Sequence, residues 1–193
     1  MTTPTANTSR EGIPTGRDEV VAAVLRAATE LFAERGPAAT SIRDIAGRAK
    51  VNHGLVFRHV GTKEQLVGAV LDNLATELTE LLQSGAPVGD LDTAMDRQMR
   101  VWARILLDGY PREHLQTRFP NVAPLLESVR GEYREQGMSD RAARLAVGNA
   151  LALRLGWRLF EPMLRSATGL EALEDGDLRQ AILDAAERML QPH

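Results

Sequence analysis

Apolar residues recur at three- and four-residue steps along most of this chain, a spacing that places them on one face of an α-helix. The first such run predicts a helix from about Arg17 to Arg35, and Gly36 and Pro37 follow where that helix should end. No segment shows the alternation of apolar and polar residues that is typical of a half-buried strand. The pattern therefore predicts an all-α fold of about nine helices.

Two short helices are predicted after this break. Thr40 or Ser41 offers a hydroxyl that can cap the first of them. Residues 50–52 separate it from the second, His53–His59, which should bury Val56. Two short helices joined by a tight turn are the outline of a helix-turn-helix.

Longer helices are predicted from residue 62 onward. The four residues from Thr62 to Gln65 have the Thr-x-x-Gln form of a capping box, so a helix should begin there and continue to about Gln83. Helical spacing returns beyond a linker at residues 84–90, and Pro162 should kink or break the longest helix because proline has no backbone N–H. The further elements expected are helices at about 91–108, 121–136, 139–167 and 177–190, with a short helical turn between 112 and 119.

Composition divides the chain into three parts. Residues 1–16 are rich in Thr, Pro, Ser and Gly and are predicted to form a mobile arm. We expect a helix-turn-helix domain at 17–63 and a ligand-binding and dimerisation domain at 64–193, with the helix at 62–83 bridging the two. The chain has no cysteine, no secretory signal and no stretch apolar enough to span a membrane, so we expect a cytoplasmic protein without a membrane partner.

The net charge of −3 is distributed unevenly along the chain. Residues 35–63 contain six basic residues against one acid, Asp44, a local charge of +5 that leaves −8 for the remainder. A basic patch on an otherwise acidic body suits a protein that contacts phosphate groups with one end only. The alternative is an ordinary solvated cationic surface.

Residues 24–74 combine several residue types at fixed spacings. They are Phe32, Gly36, Thr40, Ser41, Ile45, Ala46, Ala49, Val51, Gly54, His59, Lys63 and Glu64. This combination resembles the DNA-binding region of the TetR family, over about a quarter of the chain. The resemblance implies that the second helix meets the phosphate backbone while the third enters the major groove of a double-stranded DNA operator. It also implies a homodimer and a small-molecule effector.

Contacts to phosphate are expected at helix N-termini. Thr40 and Ser41 can donate to phosphate oxygens, although capping alone explains them almost as well. Lys63 matches a lysine that holds phosphate in the family. Arg43 can reach a guanine edge with both guanidinium nitrogens, or only neutralise a phosphate.

The start of the third helix is expected to read bases. Asn52 can pair with adenine or serve only as a helix cap, and Leu55 can touch a thymine methyl group. The other predicted DNA contacts are Lys50, His53, Phe57, Arg58 and His59. The two histidines are six residues apart, a poor spacing for a shared metal, so we expect neither a metal nor another cofactor.

Several residues depart from the family pattern, and they include Val60, where phenylalanine is usual, and Gly61, at a variable position that is often proline. Lys50 stands where the turn usually has glycine at positive φ, which costs a non-glycine residue on the order of 1 kcal/mol. Phe57 replaces a tyrosine and Leu55 a threonine or serine, so two neutral phosphate donors are missing. We therefore expect Arg and Lys to supply more of the binding, with a steep dependence on salt.

The second half offers candidates for an effector site, though apolar residues at helical spacing also form ordinary cores. The predicted ligand-binding residues are Met95, Met99, Trp102, Leu106, Tyr110, Phe119, Leu126, Arg130, Tyr133, Asn149 and Trp157. Further polar candidates are His114, Arg118 and Arg154. Arg130 and Arg154 can equally form ion pairs with Asp108 or Glu127.

A smooth stripe of small residues predicts a helix-packing face near the end of the chain. Gly148, Ala152 and Gly156 follow one another at four-residue steps, which permits another helix to approach closely. With Leu159, Ile182 and Met189 they are predicted to form the dimer interface, although the stripe can also pack within one subunit.

The sequence thus favours a ligand-released repressor that binds a pseudo-palindromic operator as a homodimer. The first alternative is a ligand-independent or activating DNA-binding protein of the same fold. The second is a small helical enzyme, which the lack of cysteine, the four dispersed histidines and the absence of a Gly-x-Ser-x-Gly motif make unfavourable.

Overall fold

A computed structural model of the chain describes residues 16–110 and 119–192. The helices are α1 (Arg17–Arg35), α2 (Ile42–Arg48), α3 (His53–His59), α4 (Lys63–Gln83), α5 (Val88–Leu107), α6 (Ala123–Glu135), α7 (Asp140–Thr168) and α8 (Asp175–Leu190). These ranges contain eight helices and no strand, so the predicted all-α fold is confirmed. The helical turn predicted before Phe119, the candidates His114 and Arg118, and the arm before Gly16 lie outside the described residues.

One predicted boundary is wrong, and one predicted break is absent. α5 begins at Val88, inside the predicted linker, because the carbonyl of Pro87 accepts hydrogen bonds from the amides of Asp90 and Leu91 and starts the helix there. The break predicted at Pro162 does not occur, since α7 runs without interruption from Asp140 to Thr168. Pro162 has no N–H to donate to the carbonyl of Arg158, so this turn of α7 lacks one backbone hydrogen bond although the helix continues through it.

The described chain forms two compact units, and the first comprises residues 16–74 and 101–110. Its largest fully buried side chains come from five different helices: Phe32, Ile45, Val56, Leu66 and Ile105. Helices α1 to α3, the first half of α4 and the end of α5 thus share one apolar core. The domain boundary predicted at residue 63 stays a prediction.

The loop between α1 and α2 is fixed by polar contacts. Gly36 has a φ of 80°, and its carbonyl accepts a hydrogen bond of 2.7 Å from the buried hydroxyl of Thr40. The amide of Ala38 donates to a carboxylate oxygen of Asp108, just beyond α5, at 2.7 Å. A side chain at Gly36 would place its Cβ 2.7 Å from the same oxygen, so both φ and space require glycine there.

The second unit comprises residues 75–100 and 119–192. α7 packs against α6 and α8, and its buried residues Ala143 and Val147 meet Val129 and Tyr133 of α6. The hydroxyl of Tyr133 donates to the carbonyl of Gln191 at 3.1 Å, which ties α6 to the end of α8. Across the part of the chain that the structure describes, we find no helix long and apolar enough to cross a membrane.

Candidate nucleic-acid interface and ligand groove

The start of α2 is held by a reciprocal pair of hydrogen bonds. The amide of Asp44 donates to the hydroxyl of Ser41 at 3.1 Å, and the amide of Ser41 donates to the carboxylate of Asp44 at 2.9 Å. These bonds from Ser41, together with the charge of Arg35, lower the pKa of Asp44. Ser41 is therefore the cap, and its exposed hydroxyl still has a proton to donate to a phosphate.

Thr40 has a different environment from its neighbour. It is only 1% exposed, and its hydroxyl already donates to Gly36 within the loop. Its amide donates to the carbonyl of Pro37. Both donors are thus used inside the protein, so we assign Thr40 to the loop and no longer expect it to contact phosphate.

The basic residues of the first unit fall into two groups. Arg48 forms ion pairs with Glu30 at 3.0 Å and Glu34 at 3.1 Å, and its hydrogen bonds to Glu34 lower the pKa of that carboxyl. Arg35 pairs with Asp44 at 3.0 Å. The positive charge expected from the sequence is therefore partly neutralised on the side of α2 that faces α1.

Three cations of this region keep their charge available. Arg43 and Arg58 are exposed and Lys63 is half-buried, and none of them has an acidic partner among residues 16–110 and 119–192. They lie on α2, on α3 and at the first position of α4 respectively. Cations without carboxylate partners are the groups that can release counterions from DNA.

The turn between α2 and α3 contains a strained residue. Lys50 has a φ of 55°, the only positive value at a non-glycine position in the described chain, so the expectation of positive φ here is confirmed. The side-chain oxygen of Asn52 then accepts a hydrogen bond of 2.8 Å from the amide of Gly54 and caps α3. The amide NH₂ of Asn52 remains available to a base.

α3 has one inner and one outer side. Val56 is fully buried and Leu55 packs against the same core, so Leu55 is at least partly a core residue. His53, Phe57 and Arg58 are exposed, and the Phe57 ring is 56% accessible. His59 is half-buried at the end of the helix. The outer side of α3 thus presents a phenyl ring next to an arginine that has no acidic partner among the described residues.

Lys63, the first residue of α4, is positioned by the predicted capping box and by a glycine whose role the sequence did not indicate. The amide of Thr62 donates to Gln65 at 2.8 Å and the amide of Gln65 donates to Thr62 at 3.3 Å, so the predicted capping box is confirmed. Gly61 precedes it with a φ of 93°, and a Cβ there would lie 2.0 Å from the Gln65 side-chain oxygen. Gly61 therefore allows the cap that places Lys63. The positive φ gave no signal in a single sequence.

The predicted ligand-binding residues do not gather at one place. Trp102 and Tyr110 pack against the core of the first unit, where burial, then the charges of Glu64 and Asp108, raise the pKa of Tyr110. In the second unit, Leu126 and Tyr133 contribute to the apolar cluster of α6 and α7.

Other predicted ligand residues have ordinary surface environments. Arg130 forms ion pairs with Glu127 and Asp140, which realises the predicted alternative for the first of these acids. Leu106 and Phe119 are 58% and 46% exposed, Asn149 is also exposed, and Met99 is half-buried.

Met95 and Trp157 both line one groove of the second unit, which has a volume of about 470 Å³. The end of α4 and the helices α5, α7 and α8 form its walls. Its apolar lining is Leu82, Val88, Leu91, Met95, Leu155, Trp157, Leu178, Ile182 and Leu183. A groove of this size with apolar walls suits a small organic molecule.

Charged side chains complete the lining of the groove. Asp92 accepts from Arg158 at 2.9 Å and from Arg179 at 2.6 Å, and Arg158 also pairs with Asp96. Arg154 lines the groove as well. The sequence missed this network because its members are up to 87 positions apart.

The predicted dimer residues lie on the outer side of α7 and α8. Gly148 and Ala152 are exposed, Gly156 is half-buried, and Leu159 is 38% exposed. From α8, Met189 is 40% exposed, whereas Ile182 lines the groove. Large apolar side chains that the prediction did not include extend the same side of α7: Leu145, Phe160 and Met163 are each at least 55% exposed.

Comparison with known proteins shows similarity both in the helix-turn-helix region and along the whole chain. The family described as "Bacterial regulatory proteins, tetR family" matches residues 24–70. The chain is 64% identical, over all 193 residues of both chains, to the HTH-type transcriptional repressor Rv3405c of Mycobacterium tuberculosis (strain ATCC 25618 / H37Rv). It is equally similar, over the same span, to the HTH-type transcriptional regulator Mb3439c of Mycobacterium bovis.

A solved structure shows the same fold. It is that of a putative tetR family transcription regulator from Shewanella sp. PV-4, which aligns with a TM-score of 0.54 at 18% identity and covers 86% of this chain and 95% of the other. The helix-turn-helix built by α2 and α3 and the full-length similarity to these regulators lead to one conclusion: the chain belongs to the TetR family of bacterial transcriptional regulators.

Proposed function

We propose that this protein is a repressor that binds a pseudo-palindromic operator as a homodimer and leaves it when a small molecule binds. The observation that carries the proposal is the outer surface of α2 and α3, where Arg43, Phe57 and Arg58 are exposed above a fully buried core. The name of the relative Rv3405c supports the sign of regulation, since it is called a repressor. The cytoplasm is the corresponding location, because the bacterial chromosome lies there.

The DNA-contacting residues follow from exposure. α3 is the recognition helix, with its N-terminal residues at the base edges and α2 across the backbone. Arg43 reads a base edge or a phosphate, and Lys63 holds phosphate at the start of α4. The contact residues that we propose are Ser41, Arg43, Lys50, Asn52, His53, Phe57, Arg58, His59 and Lys63.

The homodimer is supported by the outer side of α7. One stripe of α7 contains positions 145, 148, 152, 156, 159, 160 and 163, since α-helices turn about 100° per residue. All of them are exposed except Gly156, which is half-buried. The glycines and the alanine at the middle of the stripe allow another helix to approach closely. Phe160 and Met163 at one end of the stripe add exposed apolar surface for that helix to cover. A second copy of this surface covers the stripe and supplies the second recognition helix that a specific site needs.

Selection of binding sequences from a random double-stranded DNA pool tests the proposal, whatever the base sequence of the operator. Purified protein should enrich sequences with two-fold symmetric half-sites, and the enriched duplex should bind far more tightly than a scrambled one. Enrichment of single half-sites without symmetry would contradict dimeric recognition, and no enrichment would contradict operator binding.

The dimer is tested with one substitution on the α7 stripe. Ala152→Glu should turn the dimer into a helical monomer, because each interface would otherwise bury two unpaired carboxylates. Ala123→Glu, the same change at an exposed position of α6, should leave the dimer intact. Sedimentation velocity measures both, and a dimer that survives Ala152→Glu would contradict this interface.

Salt dependence tests how the protein holds DNA. With three unpaired cations in each subunit, we expect the logarithm of the binding constant to fall with log salt at a slope of about −5 or steeper per dimer. A slope no steeper than about −2 would show that charge contributes little.

A further inference from the structure

We propose that the groove formed by α5, α7 and α8 binds an amphipathic carboxylate, with the apolar body against Trp157 and Met95 and the carboxylate on Arg154. This inference names the chemical class of the proposed effector. The effect of binding on DNA release rests on the proposed function, whereas the binding itself is argued from the residues that line the groove.

The acids of the groove already have partners. Asp92 and Asp96 are held by Arg158, and Asp92 also by Arg179. Glu161 and Asp175, the other acids of the lining, both pair with Arg165, at 2.9 and 2.8 Å. A positively charged ligand would have to break one of these pairs and leave an arginine without its counter-ion.

Arg154 is the basic residue of the lining that remains without a carboxylate among the described residues. It is half-buried on α7, one turn before Arg158, whose own carboxylates come from α5. A guanidinium presents donors in a planar fork that matches a carboxylate with two parallel hydrogen bonds. An uncharged ligand that covered Arg154 would leave those donors unsatisfied.

The rest of the groove suits an apolar body. Trp157 lies one turn along α7 from Arg154, and Met95 is an adaptable side chain that can fit ligands of irregular shape. The volume of about 470 Å³ falls in the range of drug-sized ligands. A single carboxylate on an aliphatic or aromatic body therefore satisfies both parts of the lining.

Tryptophan fluorescence measures binding directly, since the chain has two tryptophans and only Trp157 lines the groove. In a Trp102→Phe background, titration with decanoate should change the emission of Trp157 and saturate at one ligand per subunit. Decanol and decylammonium are matched probes with the same apolar chain and a neutral or a positive head. Both should bind at least about ten-fold more weakly than decanoate.

Substitutions then identify the anchoring side chain. Arg154→Gln should weaken decanoate about ten-fold or more without weakening decanol, and Arg154→Lys should retain part of the affinity for decanoate. Arg134→Gln, an exposed arginine of α6, is the control and should change nothing. Circular dichroism verifies that each variant has the helix content of the parent protein.

The possible outcomes separate this inference from the proposed function. Equal affinity for decanoate and decanol, preference for decylammonium, unchanged decanoate affinity in Arg154→Gln, or no fluorescence change with any probe would overturn the carboxylate site. None of these titrations contains DNA. Failure of the selected duplex to bind would overturn the proposed operator function alone.

Discussion

The two compact units differ in where their large apolar side chains lie. In the first, side chains as large as Phe32, Ile45 and Leu66 are completely buried, and the exposed large apolar residues are Phe57 on α3 and Leu106 and Leu107 at the end of α5. In the second, Leu145, Phe160 and Met163 face outward along α7, and an open groove separates α5 from α8. Both units therefore leave some apolar side chains exposed, but the described groove with room for another molecule lies in the second.

The polar contacts of the two units also differ in part. In the first unit several of them fix backbone: Ser41, Asn52 and Thr62 each cap a helix, and Asp108 holds the loop before α2. In the second unit, the Arg158 network joins side chains of α5 and α7 around a groove. The proposed ligand-controlled regulator requires a DNA-binding unit with fixed geometry and a unit with room for a ligand.

The largest expected effect breaks the contrast in burial. Phe32→Ala should lower the free energy of unfolding by about 3–5 kcal/mol, because a fully buried phenyl ring is lost from a packed core. Phe160→Ala, made in the monomeric Ala152→Glu background, should change it by no more than about 0.5 kcal/mol because that ring is 55% exposed. Urea denaturation measures both. Similar losses would mean that the second unit buries Phe160 in the monomer.

A smaller effect is expected where the end of α5 holds the loop before α2. Asp108→Ala leaves the amide of Ala38 without its acceptor and should destabilise the protein by about 1 kcal/mol, since the carboxylate is exposed. Binding to the selected duplex should weaken several-fold because the start of α2 loosens. Asp108→Asn keeps an oxygen acceptor and should restore most of both. Unchanged stability and DNA binding in the alanine variant would show that the contact is dispensable.

The strained turn offers a change in the opposite direction. Lys50→Gly should stabilise the protein by about 1 kcal/mol, because glycine adopts a φ of 55° without a Cβ clash. Lys50→Ala removes the same charge but keeps the strain, so it should give no such gain. Thermal unfolding followed by circular dichroism compares them, and an equal gain in both would assign the effect to charge instead.

The smallest expected effect concerns the exposed ring of α3. Phe57→Tyr adds a hydroxyl at a position that is 56% accessible, and should tighten binding to the selected duplex by a few-fold through one hydrogen bond to phosphate. The stability of the protein should not change. Fluorescence anisotropy measures the affinity, and an unchanged value would place Phe57 away from the DNA backbone.

Local signals made much of the first unit predictable. The caps at Ser41 and Thr62 and the glycine at the end of α1 act within a few residues, so the helix bounds near them follow from the sequence. The resemblance supplied the positive φ of Lys50. Neither source indicated the contact between Asp108 and the amide of Ala38, because the two residues are 70 positions apart.

The second unit was harder to predict for a physical reason. The same sequence pattern arises whether an apolar residue on a helix faces a neighbouring helix, a groove or a second subunit. Trp102 and Trp157 both looked like ligand contacts, yet one packs in the core of the first unit and the other lines the groove. Only packing separates these cases.

Arg43 and Arg48 of α2 look alike in the sequence but have different environments in the structure. Comparing them gives the most direct test of which surface binds DNA. They are five positions apart, about 140° around α2, and only Arg48 meets the acids of α1. We expect Arg43→Ala to weaken binding to the selected duplex by about ten- to one-hundred-fold and binding to scrambled DNA much less. Arg48→Ala should leave both affinities unchanged for the folded protein. Equal losses in the two variants, or equal losses on the two duplexes for Arg43→Ala, would contradict the claim that the outer surface of α2 and α3 reads DNA.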